Sequence, residues 1–340
     1  MHARHGMLFG TALVALAAAL QADAATLVPV TPPPGATQTI VFGINKHAVI
    51  TGSYIDSNGV THGFFGPLNG TYTTFDYGNG TTGTAARAID DDGNITGFAE
   101  GPNYVVGVEF FREDDGTLKT IEKDGAPLDG VAQGIIKKDE TSTGDYVDPD
   151  TGVRNGYLAK DGNYLSDVNL GRNVYSTNPR ALNWFGTLAG FYYDPDGTTS
   201  HGFILKNGIV QVVDADDSGT TALEGINKKE FAAGQVIDSQ GEPHAFTYDN
   251  RTGVFTTIDV PDGSPGQQAW GVNDKGQVAV STNSGNSYIY CLKNVLCPRG
   301  GRTIPDGRSW THAAALHYGR NGRTSAKAAA SRPTLHGARR

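Results

Sequence analysis

The sequence predicts an all-β fold: a six-bladed β-propeller of four-stranded blades, with the last blade closed by the N-terminal strand. Three observations predict it. A phrase of about 46 residues recurs along most of the chain, and periods of this length mark blade or solenoid repeats. Glycine supplies 46 of the 340 residues, about twice its ordinary share, without the proline load of a low-complexity chain. Short runs alternate polar and apolar, and no stretch of the body holds a helical period.

The repeat is anchored on six aliphatics, Ile44, Ile89, Ile135, Leu182, Ile226 and Val272, spaced 45, 46, 47, 44 and 46 residues apart. The first strand of each unit ends there, in Gly43-Ile44-Asn45, Gly225-Ile226-Asn227 and Gly271-Val272-Asn273 and in weaker copies. The second strand carries a glycine eight or nine residues later: Gly52, Gly97, Gly144, Gly190 and Gly234. Residues 49–55 alternate cleanly, as a half-buried strand does. Those glycines either let neighbouring sheets approach where blades converge or mark bulges. A turn glycine follows (Gly59, Gly152, Gly197, Gly241), then the third strand in His62-Gly63-Phe64, His201-Gly202-Phe203 and the variants Asn155-Gly156-Tyr157 and His244-Ala245-Phe246. The fourth strand closes each unit, as in Phe255-Thr256-Thr257-Ile258-Asp259. The sixth unit supplies strands at 268–273, 277–282 and 287–293 but no fourth. Residues 26–30 stand where that fourth strand belongs, so the N-terminal strand is expected to complete the ring. Closure removes exposed sheet edges.

The succession Gly-Ile-Asn, Gly-x-Tyr-x-Asp, His-Gly-Phe, Thr-x-Ile-Asp resembles the bacterial extracellular HAF-repeat proteins over residues 37–290. The first, fourth and fifth units match best. The second and third depart at His-Gly-Phe, and the sixth departs most, with Val280 and Tyr288 at its glycine positions. The resemblance implies export and a propeller fold, and it carries no chemistry.

Residues 1–24 read as a signal peptide. Arg4 precedes an uncharged run at 7–20, too short to span a bilayer, and Ala22-Asp23-Ala24 fits a cleavage box. An uncleaved N-terminal anchor is the alternative. The expected domains are therefore 1–24, a propeller at 25–298 and a basic, unstructured tail at 299–340. The net charge of −8 joins two opposed parts: the tail holds nine bases and one acid, and residues 25–298 hold 17 bases and 33 acids. An acidic body argues against nucleic acid and anionic membrane as its partners. The tail either touches anionic envelope polymers or is a dispensable extension. No later segment is long and apolar enough to span a membrane, so the mature chain is expected to be a secreted or periplasmic monomer. Cys291 and Cys297 form a disulfide or stay two unrelated thiols; oxidising space permits the bond.

Three sets of residues invite chemistry. His62, His201 and His244 are candidate catalytic or metal-binding groups. They recur at equivalent places in different blades, which points instead to hydrogen bonding within each blade. Asp214-Ala215-Asp216-Asp217-Ser218-Gly219 has the oxygen spacing of a calcium loop, and equally of a polar turn. Asn45, Asp90, Asn183, Asn227 and Asn273 would ring one mouth of a central channel, holding a small polar ligand or starting the hairpin turns. No Gly-x-Ser-x-Gly, His-Glu-x-x-His or Asp-box motif occurs. The expected function is thus a non-enzymatic binding or scaffold module for an extracellular or envelope ligand, with no cofactor. The alternative is a hydrolase or lyase at the channel mouth, with or without dependence on calcium.

Overall fold

The computed structural model describes residues 25–292 apart from 79, 137, 172, 217–219 and 261–262, together with 297 and the segments 302–304, 309–311, 316–318 and 324–326. The expected signal peptide lies outside the described residues. The fold is all-β and propeller-like. Among the described residues the one helical segment is the three-residue Lys138–Glu140, and no helix is long and apolar enough to cross a membrane.

Each repeat unit is an antiparallel meander. The first strands are Gln38–Ile44, Gly83–Ile89, Gly130–Ile136, Ser176–Leu182, Thr221–Ile226 and Gln268–Val272. They sit side by side in space, and residues from all six line one central cavity. The remaining strands follow outwards; in the fifth unit they are Phe231–Ile237, Pro243–Asp249 and Val254–Thr257. The strands form five sheets, because the first two units share a single parallel bridge between Thr61 and Gly83. In the sixth unit Ala25–Pro29 lies antiparallel to Ser287–Cys291, with Leu27 opposite Tyr290. A disulfide joins Cys291 to Cys297.

The recurrent glycines and aromatics explain one another. Gly52 pairs with Phe64 across the sheet, Gly97 with Phe110, Gly144 with Tyr157, Gly190 with Phe203 and Gly234 with Phe246. Each of these aromatics is fully buried. A Cβ on Gly97 would stand 2.8 Å from the Phe110 ring and 2.0 Å from the Ala85 carbonyl oxygen. The glycine therefore makes room within its own sheet. The expectation that it admits the neighbouring sheet is corrected; that role belongs to the glycine before the anchor aliphatic. A Cβ on Gly225 would meet the Trp270 carbonyl oxygen of the next unit at 2.5 Å, and one on Gly271 the Phe42 carbonyl oxygen at 2.8 Å. In the sixth unit Val280 faces Tyr288, so glycine and buried aromatic depart together.

Within residues 299–340 four described segments form short strands. Arg302–Ile304 pairs with Ala25–Pro29, Ser309–Thr311 with Val254–Thr257, and Leu316–Tyr318 with Ile209–Val213; Thr324–Ala326 then pairs with Leu316–Tyr318. An outermost strand presents free N–H and C=O groups, and any extended segment within reach is templated by them.

Candidate functional site

The site begins with an irregularity common to all six first strands. Pairing with the second strand slips between Val41 and Gly43, Ala86 and Ala88, Ala132 and Gly134, Pro179 and Ala181, Leu223 and Gly225, and Ala269 and Val272. A bulge leaves a residue unpaired and re-aims its side chain. The residues so placed are Phe42, Arg87, Gln133, Arg180, Glu224 and Trp270, and all line the central cavity. The repeat keeps the anchor beside them nearly constant, while this position holds five residue types in six units, with only Arg recurring.

On the side of the second, third and fourth units the mouth widens into a cavity of about 320 Å³ lined by Arg87, Gln133, Arg154, Asn178, Arg180, Phe191 and Tyr193, among others. Arg87 lies over the Phe42 ring at 3.9 Å and the Trp270 ring at 4.7 Å. Its Nε donates to Gln133 Oε1 at 3.0 Å. Burial, and the neighbouring Arg180 cation, push the Arg87 guanidinium down to about 9, with Glu224 and Asp145 opposing; it stays protonated at neutral pH. Arg180 covers the Phe191 ring at 4.8 Å. Its Nε is 3.6 Å from Glu224 Oε2, and its Nη1 is 4.0 Å from Asp145 Oδ1. Asp145, fully buried, is paired directly with Arg154.

Behind this layer Tyr157 donates to Glu109 Oε2. Desolvation raises the Glu109 carboxyl well above the usual carboxylate range; Asp145 and Asp129 add to the rise, while the Tyr157 bond and Arg154 oppose it. Glu109 replaces the glycine of the His-Gly-Phe phrase, standing before Phe110 as Gly63 stands before Phe64. Four buried polar atoms here have no hydrogen-bond partner: Glu109 Oε1, Gln133 Nε2, Asp145 Oδ1 and Arg180 Nε. Polar atoms left without a hydrogen bond are costly in a core; Gln133 and Arg180 line the cavity, and Glu109 and Asp145 lie behind it. The arrangement can hold a polar ligand by guanidinium and amide donors against aromatic walls. Sequence reasoning singled out the second unit's departure at the His-Gly-Phe phrase, where Glu109 stands, but not the arginines. The available signal was the variable residue two places before each constant anchor.

The residues expected at the channel mouth occupy the opposite end. Asn45, Asp90, Asn183, Asn227 and Asn273 line a cavity of about 100 Å³ there, joined by Ile136 in the third unit. Their polar atoms are engaged in structure. Asn227 Oδ1 accepts from the Lys229 and Phe231 amides, which closes the hairpin turn. The side-chain amides then reach the next unit. Asn183 Nδ2 donates to the Asn227 carbonyl, Asn227 Nδ2 to Asn273, Asn273 Nδ2 to Asn45 and Asn45 Nδ2 to Asp90, at 2.9–3.1 Å. These clasps run through five consecutive units. Asp90 has no amide, and Ile136 has no polar side chain, so the third unit is left unclasped on this face.

The histidines lie apart from one another, each in its own unit. His62 is 2.9 Å from Asp76, His201 is 3.1 Å from Asp214 and 3.3 Å from Asp194, and His244 is 2.8 Å from Asp238. The hydrogen bond to Asp214 raises His201 above its usual value, against partial desolvation. Asp214, first residue of the candidate calcium loop, is thus bonded to His201; residues 217–219 of that loop lie outside the described residues. Among the described residues no group of three or more His, Cys, Asp or Glu is arranged to hold a metal.

No family model matches the chain, and no curated protein matches it. Among solved structures, the chain is similar to a catalytically inactive variant of virginiamycin B lyase from Staphylococcus aureus, with 10% identity over 78% of this chain and 99% of that one, TM-score 0.40. It is similar to a gluconolactonase from Xanthomonas campestris, with 14% identity over 79% and 98% of the two chains, TM-score 0.40. An Aleuria aurantia lectin variant gives 10% identity over 82% and 99%, TM-score 0.44. Likenesses this distant leave ligand and chemistry to the site itself.

Proposed function

We propose that the protein is an exported, non-enzymatic ligand-binding propeller of six blades, with its binding site at the Arg87–Arg180 mouth of the central cavity. One observation carries the site: six equivalent bulges deliver side chains of five kinds to one cavity, and where it widens the buried, partnerless Gln133 Nε2 stands beside two arginines. A packing position repeats its residue; a recognition position has reason to vary. The six-blade count is supported by six first strands around one cavity, by the Asn273-to-Asn45 clasp that joins sixth unit to first, and by the N-terminal strand on Ser287–Cys291. Membership of the HAF-repeat group is supported by the repeated phrase. Export is supported by the uncharged run at 7–20 and by the disulfide, at home in oxidising compartments.

The test is a small-molecule binding screen on the mature chain, run beside a hydrolase and lyase panel. A saturable ligand that Arg180→Met abolishes, with no turnover, supports the reading. One dominant turnover activity overturns it in favour of an enzyme at the same mouth. The mass of the exported product, expected to begin at Ala25, tests the export.

A further inference from the structure

We propose that the cavity beside Arg87 and Arg180 takes a ligand bearing a single carboxylate, as an acidic sugar does. The proposal rests on the reading of this mouth as the binding site and adds the class of ligand.

The charge count comes first. Arg87, Arg154 and Arg180 face Asp145 and Glu224, and burial pushes the Glu109 carboxyl behind them towards its neutral form, which leaves one positive charge without a counterpart. The carboxylates are unevenly shared. Arg154 holds Asp145 directly, and Arg180 sees both at 3.6–4.0 Å. Among the described residues Arg87 has no carboxylate within ion-pair distance, and its hydrogen-bonded partner is the neutral Gln133. A guanidinium held by two aromatic faces and one amide is oriented with charge to offer, and its fork matches a planar carboxylate.

The second observation is independent of charge. Gln133 is 7% exposed, and because its Oε1 accepts from Arg87, its Nε2 must point elsewhere; that Nε2 is buried and partnerless. Arg180 Nε, also buried, has the Glu224 carboxylate at 3.6 Å, so the unmet donor is that of Gln133. A donor without an acceptor, on the wall of a cavity of about 320 Å³, calls for an oxygen atom on whatever fills it. That volume is at the small end for ligand pockets, roughly 300–1,000 Å³. It suits one sugar-sized group with its ring against Phe191 or Tyr193. One uncompensated charge favours a monoanion over a phosphate dianion.

The experiment is ligand-observed NMR with paired probes: glucuronate, galacturonate and simple hydroxy acids, each beside its methyl ester or amide, with inorganic phosphate and sulfate as further arms. Acids are expected to bind, and the neutral partners to bind about tenfold to a hundredfold more weakly, the range for hydrogen bonds to a charged group. Arg87→Met is expected to lose the acids by a similar factor. Gln133→Glu, nearly isosteric, places a carboxylate in the cavity and is expected to abolish acid binding while keeping a cooperative thermal transition; it serves if Arg87→Met fails to fold. Esters binding as well as acids, yet lost in Arg180→Met, overturn the carboxylate and leave the site standing. Phosphate or sulfate displacing every acid more tightly also overturns it. Binding that neither Arg87→Met nor Gln133→Glu changes, or no binding by any probe, overturns the site together with the ligand class.

Discussion

Replacing Asn227 by Asp tests whether the asparagine end of the cavity is a clasp. The change keeps the shape of the side chain and the oxygen that caps the Lys229 and Phe231 amides. It removes the Nδ2 donor, whose 3.0 Å bond to the Asn273 carbonyl joins two units, and sets a carboxylate oxygen against that carbonyl. Loss of a neutral hydrogen bond costs about 1 kcal/mol, and a buried polar oxygen left without a donor about 1–3 kcal/mol more. Asn227 is 4% exposed, so solvent offers little relief, and the expected loss is about 2–4 kcal/mol. For a body of this size that is a fall in Tm of roughly 5–12 °C. Asp90 supplies the internal control. It is an Asp at the same place, but its second oxygen accepts from Asn94 Nδ2 at 3.0 Å, four residues on; in the fifth unit that place holds Phe231. The assay is thermal and denaturant unfolding of wild type, Asn227→Asp and Asp90→Asn at pH 7. Asn227→Asp within 0.5 kcal/mol of wild type would refute the clasp, because an aspartate that costs nothing there would have to be solvated.

Other consequences are as direct. Glu109 titrates above its unfolded value, so the folded state binds one more proton between the two. Its stabilising contribution is present below about pH 4.3 and is lost as pH rises through the raised folded value. Glu109→Gln should remove a fall of up to about 1.4 kcal/mol per pH unit in that window, read from denaturant midpoints between pH 5 and 8. His201 is raised too. Its contribution is present below about pH 6.5 and fades as pH climbs through the folded value, so His201→Gln should flatten the alkaline side of the same profile. Ala48 sits at φ 60° in the first hairpin turn, where Gly93 and Gly276 stand in the second and sixth units. Ala48→Gly should therefore stabilise by roughly 0.5–1 kcal/mol, against a left-handed cost of about 1–2 kcal/mol for a residue with a Cβ and the entropy glycine adds to the unfolded chain. Gly97→Ala meets the Ala85 carbonyl and the Phe110 ring together and should cost at least the 1–3 kcal/mol typical of overpacking, seen as a lower Tm.

The sequence makes the meander readable because strand pairing follows period and turn chemistry, both local. Residues 277–282 and 287–293 were expected as strands and form Gln277–Ser281 and Ser287–Cys291. The missing fourth strand of the sixth unit pointed to Ala25–Pro29 for the same reason. What pairs across a sheet is not local. Gly52 and Phe64 lie twelve residues apart, and their contact depends on a register that the turn between them sets. The bulges are less visible still. One unpaired residue leaves the alternation of a short strand almost unaltered, so Arg87 and Arg180 read as ordinary strand positions. The tail strands are hidden for a different reason. The tail's composition carries no strand signal, and its first three described strands each pair with an outermost strand of the body.

The two ends of the cavity divide the work. At the asparagine end the same residue type recurs, and its polar atoms are consumed in turns and unit-to-unit bonds. At the arginine end five residue types stand at the six positions, and the Gln133 donor remains without a partner. A fold of repeats tolerates such a site because each unit is held chiefly by its neighbours, so an unfavourable cluster in one arc is offset by regular contacts in the rest. The arc in question is the second to fourth units, where the asparagine clasps are also missing: Asp90 and Ile136 interrupt them on the face opposite Arg87, Gln133 and Arg180. The least tightly clasped part of the proposed ring thus carries the cavity. Ligand binding there would supply to the third unit the bonds that the clasps provide elsewhere. Amide exchange in Gly130–Ile136 should therefore slow on binding more than in the equivalent strand Thr221–Ile226, and equal slowing of both strands would sever the link between the seam and the site.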